Sequence, residues 1–87
     1  MASRPKMPVP VAEVTPQELS DLIRQWSTDN GYEFEFALHA SEFGKVVVRD
    51  SAGGFSTTTI PNPHHGRRLR RDQARYTVRD LNNSWRD

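Results

Sequence analysis

The chain predicts an α+β domain of order α-β-β-β-α, a three-stranded antiparallel sheet with two helices packed on one face. Three observations carry this. A capped amphipathic helix opens the ordered part, three strand-like segments with short connections follow, and a second amphipathic helix closes it. At 87 residues the chain is one small domain.

The first fourteen residues contain Pro5, Pro8 and Pro10. Proline removes backbone donors and favours extended geometry, so residues 1–14 read as a flexible proline-rich arm and 15–87 as the domain. Thr15-Pro16-Gln17-Glu18 is a helix start. Thr15 and Glu18 are spaced for a capping box, Pro16 sits where its missing N–H costs nothing, and Val14 and Leu19 hold the two ends of a hydrophobic staple. Leu19, Leu22, Ile23 and Trp26 form an apolar stripe, and Asn30-Gly31 ends the helix with a glycine able to take positive φ.

Tyr32 to His39 alternates, with Tyr32, Phe34, Phe36 and Leu38 on one face and Glu33, Glu35, Ala37 and His39 on the other. Lys45 to Asp50, around Val46-Val47-Val48, is the second strand. Ser51-Ala52-Gly53-Gly54 is a tight turn; Phe55 to Ile60 is the third strand, stopped by Pro61 and Pro63. The last helix is expected from about Arg71 to Trp85. Ala74, Val78, Leu81 and Trp85 form its core stripe, with Arg71, Arg75, Arg79 and Arg86 about a quarter-turn away.

Charge is polarised along the chain. Residues 1–60 hold 5 Lys/Arg and 8 Asp/Glu, net −3; residues 61–87 hold 7 Arg and 3 Asp, net +4. The run His64-His65-Gly66-Arg67-Arg68-Leu69-Arg70-Arg71 leads into the last helix. Guanidinium forks match phosphate, and the amides of a helix start also suit an anion. Cations at a helix N-terminus oppose the helix dipole, a local conflict that points to function. The expected nucleic-acid-binding residues are Arg67, Arg68, Arg70, Arg71, Arg75 and Arg79, with His65.

Other chemistry is thinner. There is no cysteine, which excludes disulfides, thiol catalysis and zinc-cysteinate sites. Proton transfer falls to His39, His64 and His65, with Lys45 as a stabilising cation. Adjacent histidines without a third ligand do not make a metal site, so neither metal nor cofactor is expected. Gly53-Gly54 lacks the following helix of a phosphate loop, and Glu33 and Glu35 read as a solvated strand face. No apolar run spans a membrane and no signal-peptide core is present, so a cytoplasmic protein is expected.

The α-β-β-β-α order resembles the double-stranded-RNA-binding domain and the small HicA-type toxins, mRNA interferases of toxin–antitoxin systems. The segment Thr58-Thr59-Ile60-Pro61-Asn62-Pro63-His64-His65-Gly66, leading into Arg70 to Asn83, is similar to the Val-Pro-x-His strand end and basic helix of those toxins. Gly31-Tyr32 resembles the Gly-Phe that starts their first strand. The resemblance implies RNA as ligand and an antitoxin-like partner. It also implies phosphate contacts at the basic helix start by Arg67, Arg68, Arg70, Arg71 and Arg75. The toxins carry a catalytic histidine in a Gly-Ser-His motif at the second strand; Phe43-Gly44-Lys45-Val46 stands here without one, which implies binding without cleavage. Three function classes follow in order: a module binding RNA (or DNA), a ribonuclease toxin, and a phage or bacterial regulator that docks on an acidic host protein.

Overall fold

A computed structural model describes residues 4–39, 41–65 and 68–87, and the backbone alone of His65. The elements are α1 (Pro16–Asp29), β1 (Glu33–Leu38), β2 (Phe43–Arg49), β3 (Phe55–Pro61), a single 3₁₀ turn (Pro63–His65) and α2 (Arg71–Asn83). The strands form an antiparallel meander in the order β1-β2-β3, the predicted α-β-β-β-α plan.

The two ends of α1 and the β2–β3 turn fall where the sequence predicts them. Thr15 Oγ1 accepts from the Glu18 amide at 3.0 Å, and Glu18 Oε1 accepts from the Thr15 amide at 3.1 Å. Gly31 leaves α1 with φ +72°. In the β2–β3 turn Asp50 Oδ1 accepts from the amides of Ala52 and Gly54, and Gly53 takes φ +92°. No helix of the described residues is long and apolar enough to cross a membrane.

Strand alternation sorts the sheet into two faces. The inner face carries Phe34 and Phe36 from β1, Gly44, Val46 and Val48 from β2, and Ser56, Thr58 and Ile60 from β3. Leu19, Ile23 and Trp26 of α1, and Ala74, Val78 and Leu81 of α2, pack on it. Two hydroxyls pin α2 to β3: Ser56 donates to the Leu81 carbonyl, and Thr58 donates to Asp80 at 2.9 Å. The Phe36 ring covers Gly44 so closely that a Cβ there has no room.

Several expectations are corrected. The segment read as a free arm is docked from Arg4 onward. Met7 is 5% exposed, and its amide and carbonyl pair with the Asn82 side chain at 2.9 and 3.0 Å. Val14 accepts from the Leu69 amide at 2.6 Å. The chain thus runs from the end of α2 back to its start, along Asn82, Arg75 and Arg71 on one side and Leu22 and Trp26 of α1 on the other. Extended backbone needs few partners, so the prolines do not prevent docking. Leu22, expected in the α1 stripe, is 44% exposed. It lies about 100° around the helix from the buried centre and borders Pro8 to Val11. Leu38 is exposed at the end of β1. Trp85 lies beyond α2, which ends at Asn83, and packs against Tyr32 with the rings tilted by 58° and their centroids 5.3 Å apart.

Candidate nucleic-acid interface

The start of α2 contrasts with the start of α1. The N-cap is Arg70, which has no side-chain oxygen to offer. Only the return half of a capping box is present, the Arg70 amide donating to Gln73 Oε1 at 3.1 Å. The amides of Gln73 and Ala74 both reach the Arg70 carbonyl. Those of Arg71 and Asp72 have no protein acceptor among the described residues. Donors and the positive end of the helix dipole therefore face outward, among cations.

Arg68, Arg70, Arg71 and Arg79 are exposed and Arg75 is half-buried. Arg71, Arg75 and Arg79 follow at spacings of four, which sets them on one flank of α2, beside the Ala74–Val78–Leu81 core stripe. Arg71 and Arg75 border Val9, Pro10 and Val11 of the N-terminal segment. The ion pairs among the described residues are Arg4–Asp50, Arg4–Asp87 and Arg49–Glu35; none uses an arginine of the α2 cluster. Arg68 lies within electrostatic range of Glu18. The Glu18 carboxyl sits below its ordinary value mainly because Thr15 bonds to it, with a smaller contribution from Arg68.

Other expected residues separate from this cluster. Arg86, expected on the arginine stripe, lies past the helix end and pairs with Phe55 through two backbone bonds of 2.8 Å. Arg67 and the His65 side chain lie outside the described residues. Lys45 stands on the outer face of β2, across the sheet from both helices, between Ala37 and Thr59. His39 and Lys45 border one shallow depression of about 330 Å³ with Glu35 and Arg49. His64 is exposed on the 3₁₀ turn, its amide bonded to Asn62 Oδ1. Among the described residues no group of three or more His, Asp or Glu is placed to hold a metal.

Asn62 carries a role that the sequence did not signal. It is 8% exposed and donates to the carbonyls of Glu42 and Ser41, both at 2.9 Å. It thereby ties the β1–β2 turn to the segment that leads into the arginines. Arg4 was equally silent, since its partners Asp50 and Asp87 are distant in sequence. No known protein family, curated protein or solved structure matches this chain.

Proposed function

We propose that this domain binds structured RNA through the arginines at the start and along one flank of α2. One observation carries the reading: Arg71, Arg75 and Arg79 line one flank of α2, Arg70 is its N-cap and Arg68 stands two residues before that cap, and no carboxylate is ion-paired to any of them among the described residues. A stable helix start favours acids, and α1 shows that this chain can build one. The α2 start carries one acid, Asp72, against Arg68, Arg70 and Arg71, and this excess of cations matches a polyanion recognised by its phosphates and shape.

The test is binding of an RNA hairpin across a salt series. Affinity falls linearly on logarithmic axes, and each phosphate contact removed lowers the slope by about 1. The double variant Arg68→Ala/Arg71→Ala loses most of the affinity at low salt; full retention overturns the site. Equal-length DNA in the same titration identifies the preferred nucleic acid.

A metal-independent ribonuclease is the second reading, favoured by His39 and Lys45 bordering one depression. It requires RNA cleavage in chelator that the His39→Ala/His64→Ala/His65→Ala variant lacks. Intact RNA beside the native protein rejects it.

A further inference from the structure

We propose that the open face of the sheet is a second RNA surface, which takes unpaired nucleotides by stacking on Phe43 and Phe55 while Lys45 and Arg86 meet the phosphates. It rests on the reading that the ligand is RNA, and it names the form of RNA that engages both sides of the domain.

Register and alternation fix what this face displays. Its rows across the sheet are His39–Phe43–Pro61, Ala37–Lys45–Thr59, Glu35–Val47–Thr57 and Glu33–Arg49–Phe55. Both helices pack on the other face. Phe43 is 41% exposed and Phe55 37%, although neither has a polar atom that seeks water. Six positions of β2–β3 pairing separate their rows, about 20 Å at the rise of a strand, which leaves room for a short run of nucleotides.

Lys45 joins the two ends. It borders the depression beside His39 and Ala37 and also the one of about 470 Å³ beside Phe55, Thr57 and Arg86. The nearby acids are largely occupied. Arg4 holds Asp50 and Asp87 at the Phe55 end, and Arg49 holds Glu35. On this face β2 and β3 contribute Lys45 and Arg49 and no carboxylate, and Arg86 adds a cation at the β3 edge. A lysine in the middle of the face disfavours an apolar protein partner, because lysine is depleted from interface cores. Exposed rings beside Lys45 and Arg86, which have no ion pair among the described residues, suit single-stranded nucleic acid, whose bases offer their π-faces. Paired bases are already stacked within the duplex, so the rings select the unpaired state.

The test compares a blunt RNA hairpin with the same hairpin carrying a single-stranded uridine tail, both titrated against the full chain. The tail tightens binding about tenfold, the effect of one well-stacked base. Phe43→Ala/Phe55→Ala loses this increment and keeps hairpin affinity, whereas Arg68→Ala/Arg71→Ala loses hairpin affinity. Lys45→Glu, a change at an exposed position, also removes the increment and decides the matter if the double phenylalanine variant melts early. Ultraviolet crosslinking of the tail marks Phe43 or Phe55. A tail that adds nothing to a bound hairpin, an increment that survives Lys45→Glu, or crosslinks confined to α2 overturns the proposal. Binding of the free tail strand alone, lost in Lys45→Glu while the hairpin is ignored, supports this face and rejects the α2 site. Binding of neither probe rejects both.

Discussion

Arg4 is the residue on which the most distant parts of the chain converge. Its guanidinium pairs with Asp50 at the β2–β3 turn and with Asp87, and lies over the Trp85 ring at 4.4 Å. Arg4 holds the Asp50 carboxyl below the ordinary carboxylate range, helped by the amides of Gly54 and Ala52. A carboxyl whose value is lower in the folded state stabilises the fold above its unfolded value, and this is lost as pH falls through the folded value. Thermal stability therefore drops as pH falls below about 4. Arg4→Ala removes part of that drop along with part of the stability at neutral pH. An acid profile identical in the variant contradicts the assignment. Gly54 gives a second probe of the same contact. A Cβ at Gly54 meets the Arg4 guanidinium at 2.5 Å and Asp50 Oδ2 at 2.8 Å. Gly54→Ala thus loosens the first residues, and faster hydrogen exchange at the Met7 amide is the expected readout.

The elements differ in how they are held, and that difference governs what the sequence reveals. α1 begins with a capping box of four adjacent residues, and its start and its end at Asn30-Gly31 are legible at once. Thr15→Ala costs about 0.5–2 kcal/mol, measured by denaturant unfolding. α2 is joined to β3 partly by side-chain hydroxyls, so Ser56→Ala costs about 1 kcal/mol, while the outward Thr57→Ala stays within about 0.5 kcal/mol. β1 shows its period of two plainly. Val46-Val47-Val48 has no alternation of its own, and only pairing with β1 and β3 decides that Val47 faces outward with Phe43 and Lys45. The arginines at the α2 start lie close together in the chain, interrupted only by Leu69, and are therefore readable; Arg86 is not, because the helix stops at Asn83 and the chain turns to pair with Phe55. Leu22 satisfies helical spacing yet lies at the margin of the stripe, a distinction that only the position of the neighbouring segment settles.

At the scale of the whole molecule, the sequence-level polarity becomes a spatial one. The α2 arginines occupy the helical side, while on the open side of the sheet the acids Glu33 and Glu35 are confined to the β1 edge and the cations Lys45, Arg49 and Arg86 stand over β2 and β3. That arrangement orients an approaching polyanion and makes the association rate depend on ionic strength. The docked first segment adds to the core that a small domain must build. Met7→Ala costs about 2 kcal/mol or more in unfolding experiments, an effect absent if the segment floats free. Docking also has a kinetic side. Met7 emerges early in synthesis, yet its partner Asn82 follows 75 residues later, and Arg4 reaches Asp87 across 83. A nascent chain lacking α2 therefore holds Met7 in water, and the helical groove closes only once Asn82 has been made and α2 has formed. Such pairings raise contact order and place the clasp late on the folding route, so its removal accelerates unfolding more than it slows refolding.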